Sequence, residues 1–354
     1  MRMTLSRREA IKVLSGGAAA GLVVGGGPGG LGLPRAAAQG GRALGINLLG
    51  YSLGIHIPGI AGALDLLPGL PGYAPPKTAR LDQIRTLTQT LIAGAVDIGE
   101  TDPITVFRAV ESGADLKVIG NVYVNTSLVL VANADRVQDL KDLEKPDVLV
   151  SIATKGDVTY AMLFGPMLKR GIDPKKVTFV EIAGSGGRMR ALLSKRVHVG
   201  PMHFDQAAQL AKQGNFKVIL EPWKEYRAWM NEIWAVNGAW LRKPENQRAA
   251  VDLMKAVLMG FRKGTADFGW YLEKYRKHAT LPKAAEATPD EIRPLWHTLA
   301  QELKAWPASN DFSIEHFREL LPVYKAAGAI EGTIKLDQVI DTSYVEQAVK
   351  ELGA

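Results

Sequence analysis

The sequence predicts an α/β protein, because apolar runs of strand length alternate with segments of helical periodicity. The clearest stretch is residues 177–220, where an apolar run is followed by a glycine turn at 184–187 and by helical spacing at 189–193. A second apolar run, a polar turn and a helix closed by Gly214 come next. This alternation is typical of βαβ units on a parallel sheet, whose ligands bind where the strands end.

Chain length and the C-terminal third extend this prediction. A chain of 354 residues that is 47% hydrophobic can bury a large core, and its length indicates two lobes. Residues 245–354 are almost entirely helical in pattern, with charged residues on their outer faces. We therefore expect two α/β lobes and a helical C-terminal region.

The composition excludes several kinds of site. The chain contains no cysteine, which rules out disulfides, thiolate metal sites and a cysteine nucleophile. Its six histidines show no metal-ligand spacing such as HExxH. Most of the formal charge of +7 lies in the first 38 residues, and no basic run carries interleaved aromatics. We expect no metal, no cofactor and no nucleic-acid partner.

Residues 1–38 are typical of an export signal. Residues 6–12 (SRREAIK) resemble the twin-arginine motif, and the Gly- and Ala-rich stretch that follows ends in an A-x-A cleavage pattern near Ala38. The mature chain would then begin at Gln39 in the periplasm. The alternatives are a disordered basic arm or a membrane anchor, although no segment reaches ~18 consecutive apolar residues.

The first half of the mature chain predicts the following elements. A strand at 43–49 precedes a polar break, and the proline-rich residues 53–76 predict a short helix near 56–67 and then an irregular loop. An amphipathic helix ends at Gly94, a strand lies at 96–99, and Asp102 and Pro103 suit the N-cap and N1 positions of the next helix. Strands at 116–124 and 126–132 abut, which suits a crossover between lobes.

The second half continues the alternation. A strand at 149–152 leads through a turn into a helix at 158–168, and residues 177–220 supply further strands and helices. Residues 233–241 can return the chain to the first lobe as one more strand.

Five short phrases carry a family resemblance. They are LIAGAVDIG at 91–99, GADLKVIG at 113–120, GSGGR at 184–188, ALLSKRV at 191–197 and AKQG at 211–214. In this order and spacing they resemble the periplasmic substrate-binding proteins of bacterial ABC importers, in the NMT1/THI5-like group that handles nitrate, sulfonates, taurine and thiamine precursors. The resemblance covers roughly residues 43–240.

The resemblance implies the two-lobe type II periplasmic binding protein fold. Residues 39–125 and 226–354 would form lobe 1 and residues 126–225 lobe 2, joined by two crossing strands. A monomer would bind ligand between the lobes, close over it by a hinge, and dock on a membrane permease whose ATPase drives import. The family usually has a clean helix and a second strand after the first glycine turn, whereas residues 57–80 here are rich in proline.

Candidate ligand-binding residues lie at predicted strand ends, at the hinge and at helix N-termini. They are Tyr51, Ser52, His56, Thr101, Asp102, Asn125, Thr126, Lys155, Gly156, Asp157, Gly184, Ser185, Gly186, Arg188, His203 and Asp205. The backbone amides at 184–187 and the charge of Arg188 together suit a sulfonate, carboxylate or nitrate. The alternatives are a plain glycine turn with Arg188 in solvent, Asp102 and Asp157 acting only as helix caps, and a structural His203.

Four tryptophans follow the second lobe, at positions 223, 229, 234 and 240. They could stack on an organic ligand, or pack in the core, which is the commoner role for any single one of them.

The main hypothesis is a periplasmic solute-binding protein, not an enzyme, that captures a small organic anion and delivers it to an ABC permease. Sulfonates, nitrate-like ions and aromatic carboxylates are the candidate ligands. One alternative is an enzyme on the same fold, of lyase or thiamine-pyrimidine type, which the lack of cysteine and of a nucleophile–base pair disfavours. Another is a binding protein that reports to a sensor or chemoreceptor.

Overall fold

The computed structural model describes residues 41–353, so the predicted export signal lies outside the described residues. The strands in chain order are β1 (Gly45–Leu49), β2 (Lys77–Leu81), β3 (Ile98–Thr101), β4 (Leu116–Asn121), β5 (Leu128–Asn133), β6 (Leu149–Ile152), β7 (Thr178–Glu181), β8 (Val199–His203), β9 (Phe216–Leu220) and β10 (Ile233–Asn237).

The helices include long C-terminal ones, as predicted from residue 245 onward. They are α1 (Ile57–Ala61), α2 (Ile84–Ile92), α3 (Pro103–Glu111), α4 (Val158–Lys169), α5 (Ser185–Leu193), α6 (Phe204–Gln213), α7 (Gly238–Leu241), α8 (Pro244–Ala266), α9 (Phe268–His278), α10 (Pro289–His297), α11 (Ile314–Ala326), α12 (Leu336–Val339) and α13 (Ser343–Leu352). Across residues 41–353, none of them combines the length and apolar character needed to cross a bilayer.

The strands form two five-stranded sheets. The first has the order β2-β1-β3-β10-β4 and the second the order β7-β6-β8-β5-β9. Strand β10 runs antiparallel to β3 and β4, and β5 runs antiparallel to β8 and β9, so the predicted parallel sheet is wrong for these two strands. Each enters its sheet directly from the other sheet rather than through a crossover helix, and such a strand has no need to be parallel.

The proline-rich stretch folds more regularly than its composition predicts. Residues 54–69 are helical, with α1 flanked by 3₁₀ and π turns, which confirms the predicted helix. Residues 70–76 form the irregular loop predicted after it, and residues 77–81, for which no strand was predicted, form β2 on the edge of the first sheet. Most of β2 is exposed, so its sequence lacks the apolar alternation from which a strand is predicted.

Helix α1 lies backbone to backbone on α8. A Cβ atom placed on Gly260 would lie 2.1 Å from the carbonyl oxygen of Pro58, and one on Gly62 would lie 2.5 Å from that of Ala256. Both distances are too short for any side chain, so only glycine permits this approach. The contact attaches the proline-rich segment to the longest helix of the C-terminal region.

Two short segments, 122–127 and 221–232, connect the sheets. The strands predicted to abut there end earlier and start later, at Asn121 and Leu128. Asn125, in the left-handed region with φ 63°, accepts hydrogen bonds through its side chain from the backbone N–H groups of Thr126 (2.8 Å) and Trp229 (3.2 Å). One side chain therefore ties both connections together.

The tryptophans pack against the core. Trp229 and Trp234 are fully buried, whereas Trp223 and Trp240 are partly buried against the same cluster. The strand predicted over 233–241 ends at Asn237, whose side chain caps α7.

Candidate functional site

A cavity of about 260 Å³, called the cleft below, lies between the two sheets. Its walls come from the carboxyl ends of β1, β2, β3, β6, β7 and β8 and from the first turns of α2, α3, α4 and α5. This is the edge at which ligands of open α/β sheets bind.

Seven of the predicted residues line the cleft. They are Tyr51, Asp102, Gly156, Asp157, Gly184, Arg188 and His203. Residues 82–85 line it as well, but the sequence did not identify them because β2, which precedes them, was not predicted. Thr105, Arg108, Glu181 and Asn231 also lie in its wall, and no motif marks them in the sequence.

Other predicted residues are not part of the cleft wall and serve the surrounding framework. The Ser52 hydroxyl accepts from Arg80, the Thr101 hydroxyl pairs with that of Thr88 at 2.7 Å, and Thr126 accepts from the backbone of Leu128. Asn125 has the connecting role described above.

The other predicted residues outside the cleft wall lie between residues 155 and 205. Ser185 accepts a hydrogen bond from Gln206, and the exposed Lys155 uses its backbone N–H to donate to Glu181. Gly186 is exposed and does not line the cleft. Asp205 accepts from the backbone N–H of Gly54 at 3.0 Å and lines a different cavity.

Arg188 supplies a buried positive charge to the cleft, so the alternative that its side chain lies in solvent is wrong. Its side chain is only 2% exposed and donates to the carbonyl oxygens of Pro201 and Ile182, each at 3.3 Å. Among residues 41–353 no carboxylate lies within ion-pair distance of it. Burial lowers the pKa of the Arg188 guanidinium, and the nearby Tyr51 and Asp157 oppose that shift. A buried guanidinium held only by carbonyls keeps capacity for an anion.

The N-terminus of α5 adds to this positive potential. Gly184 occupies the N-cap position with φ 71°, and in the described part of the chain no side chain caps the helix. The first backbone N–H groups of a helix lack partners within it and favour an anion. By contrast, α3 and α4 are capped by Asp102 and Asp157, which accept from Thr105 and Tyr160.

Burial raises the pKa values of two carboxyl groups in the cleft wall. Burial raises the pKa of Asp102 to about 6, although hydrogen bonds from Thr105 oppose the shift. Burial likewise raises the pKa of Asp157, against hydrogen bonds from Thr159 and Tyr160. Burial and then the nearby charges of His56 and Arg188 lower the pKa of His203, so its imidazole is neutral at pH 7.

Asp102 predicts a pH dependence of stability. Its folded pKa of about 6 lies above its ordinary value of 3.8, so the folded state binds more protons between these values. Stability therefore falls as pH rises from about 4 to about 6, by on the order of 3 kcal/mol. Asparagine also caps helices, so Asp102→Asn should resist urea better than the wild type at pH 7 and equally well near pH 4. If urea unfolding showed the same difference in stability between the wild type and Asp102→Asn at both pH values, this assignment would be contradicted.

A larger cavity of about 870 Å³ lies elsewhere, between α6, β9 and residues 281–302. Most of its charged lining residues, such as Lys212, Lys283, Glu286 and Glu291, are exposed and of both signs, and the buried one is Asp205. It contains no buried cation comparable to Arg188. The smaller cleft is therefore the better candidate for a specific site.

Comparison with protein families matches residues 83–267, just over half of the chain, to the family described as NMT1/THI5 like. No curated protein matches the chain in a sequence search.

Several solved structures resemble the fold. A ligand-binding component of an ABC-type import system from Staphylococcus aureus, solved with zinc bound, is 14% identical, with a TM-score of 0.70 over 87% of this chain and 99% of that one. The alkanesulfonate-binding protein from Xanthomonas axonopodis, bound to MOPS, is 14% identical, with a TM-score of 0.66 over 85% and 98%. The periplasmic nitrate-binding protein from Synechocystis is 12% identical, with a TM-score of 0.68 over 88% and 89%.

Proposed function

Since the chain belongs to the NMT1/THI5-like family, we propose that it is a solute-binding protein of an ABC importer that captures a small organic anion in the cleft. The observation that carries this proposal is Arg188, a buried cation in the cleft wall with no carboxylate partner among residues 41–353. Burying a charge without a counter-charge is costly, and a bound anion would supply that counter-charge.

The chemistry and size of the cleft narrow the range of possible ligands. A sulfonate, a carboxylate or nitrate can accept from both the guanidinium and the N–H groups of α5. Pockets for drug-sized ligands span roughly 300–1,000 Å³, so a cavity of about 260 Å³ favours a smaller ligand. The fold neighbours that bind alkanesulfonate and nitrate support the same class.

The lobe boundaries of the proposal are residues 39–125 with 226–354, and residues 126–225. The sheets support them, because β1–β4 and β10 make one sheet and β5–β9 the other. Closure would bend the chain at the two connections that Asn125 links. We expect ligand to reduce the radius of gyration in solution scattering.

The remaining parts of the proposal concern location and partner. The twin-arginine-like motif supports export to the periplasm with cleavage near Ala38, and the family supports delivery to a permease and its ATPase. The fold neighbours described as import or binding components support binding without turnover.

A ligand screen tests the proposal. The mature chain is heated with taurine, alkanesulfonates, nitrate, aromatic carboxylates and aminopyrimidines, each in separate samples. A ligand at about 100 times its Kd should stabilise the protein by about 2.7 kcal/mol, which corresponds to about 4 °C in Tm for a chain of this size.

The result expected is a shift with one class of anion, repeated by calorimetric titration at one site per chain. A shift with a neutral aminopyrimidine and none with any anion would overturn the anion assignment. A time course of each ligand in the presence of protein checks that none is consumed.

A further inference from the structure

Three fully buried side chains converge behind the cleft, and we propose that His56, Glu100 and Glu232 form a binding site for a divalent transition-metal ion. One ligand atom from each residue lies within 4.8 Å of the others. The atoms are an imidazole nitrogen and two carboxylate oxygens, the donor set that suits Zn²⁺ and related ions better than Mg²⁺ or Ca²⁺. Below, this set is called the triad.

Charge balance in the triad favours a cation. His56 Nε2 faces Glu232 Oε2 at 2.8 Å, an ion-pair distance, whereas the buried Glu100 Oε1 has no hydrogen-bond partner among residues 41–353. Two buried carboxylates that share one imidazole lack a full complement of positive charge, and burying an uncompensated charge is costly. A divalent cation would supply the missing charge.

The hydrogen bonds of the triad orient its two carboxylates. The other carboxylate oxygen of Glu100 accepts from the backbone N–H of Leu49 at 2.8 Å. The other oxygen of Glu232 accepts from the Tyr51 hydroxyl at 3.4 Å. Each carboxylate is thus oriented by a neighbour through one oxygen and presents the other, as metal ligands commonly do.

The imidazole follows the same pattern. Nδ1 of His56 accepts a hydrogen bond from the backbone N–H of Leu53 at 3.1 Å and also lies 3.3 Å from the Leu53 carbonyl oxygen. Metal binding at Nε2 requires the other tautomer, in which Nδ1 carries the proton and donates it to that carbonyl.

The distances require only small side-chain movements. The ligand atoms of a four-coordinate zinc lie about 3.3 Å from one another at ligand bonds of about 2.0 Å. The triad spans at most 4.8 Å, within the range that side-chain rotation closes. Tyr51 stands between the triad and the cleft, since it lines the cleft and contacts Glu232. Its movement would admit the ion.

Sequence spacing gave no sign of this site. The three residues lie in the 3₁₀ turn before α1, in β3 and immediately before β10, so only the fold brings them together. The expectation of no metal rested on local spacing and is revised by this proposal.

The test measures metal uptake by tag-free protein after chelator treatment. Equilibrium dialysis against Zn²⁺ and against Co²⁺ should yield one ion per chain by elemental analysis. Bound Co²⁺ should show the visible absorption of a low-symmetry site. Glu100→Gln and Glu232→Gln, which keep the side-chain shape, should each weaken binding by about 100-fold or more.

Two controls make the result specific. Glu181→Gln removes an exposed carboxylate of the cleft and should leave metal binding unchanged. Arg188→Met should also leave it unchanged, so the metal site and the anion site are tested separately. If a glutamine variant fails to fold, chelation of the metal-loaded wild type should still lower its Tm.

Two outcomes would overturn the proposal. One is no stoichiometric uptake of either ion by the wild type, which would assign the triad to a proton shared between the two carboxyl groups. The other is equal uptake by the wild type and both glutamine variants, which would assign the ion to other residues.

Discussion

Replacing Arg188 with methionine should weaken anion binding strongly while leaving the fold intact. Losing one partner of a desolvated charge pair costs about 2–5 kcal/mol, so the affinity for the ligand found in the screen should fall by about 100-fold or more. Methionine fills a similar volume and takes no charge into the interior. Calorimetric titration of both proteins measures the loss.

Without ligand, the same substitution should not reduce the stability of the protein. Arg188 is buried with only carbonyl partners for its guanidinium, and replacing a buried charge with an apolar side chain is often neutral or stabilising. We expect the Tm of Arg188→Met without ligand to equal or exceed that of the wild type. Such a pattern would show that the charge is retained for binding and not for stability.

Arg190 provides the matched control, because it lies on the same helix and is exposed. Arg190→Met should bind the ligand as the wild type does. Arg188→Lys keeps the charge without the planar fork, and we expect it to bind more weakly than the wild type and more tightly than Arg188→Met. Equal loss in the two methionine variants would mean that net charge alone attracts the ligand.

The second large effect concerns stability. Gly260→Ala should destabilise the protein by about 3 kcal/mol, at the upper end of the range for overpacked sites. The added methyl group would lie 2.1 Å from the carbonyl oxygen of Pro58, so α1 and α8 must move apart. Backbone atoms cannot yield as a flexible side chain can. Chemical denaturation at pH 7 measures the change.

Gly69→Ala is the corresponding control. Gly69 lies in the same proline-rich stretch, but a Cβ there would meet no atom within 4 Å. Its substitution should change stability by less than about 0.5 kcal/mol. A loss of similar size at both positions would mean that chain flexibility, not contact between α1 and α8, limits stability.

Much of the architecture was predictable from local pattern. The helices with strong periodicity, the strands with apolar runs and the N-cap at Asp102 agree with the structure, because each depends on neighbours within a few residues. Strand β2 was missed for the same reason. It is an exposed edge strand, and its pairing with β1 depends on a partner far away in the chain.

The candidate site was likewise predictable only in part from the sequence. The sequence by itself determined the strand ends and helix N-termini from which Arg188, Asp157 and Asp102 reach the cleft. The tertiary structure alone decided that Arg188 is buried with no carboxylate at ion-pair distance within residues 41–353, and that Asn125 ties the two connections. It also brought His56, Glu100 and Glu232 together. Burial and pairing depend on which distant segments meet, and local periodicity carries no information about that.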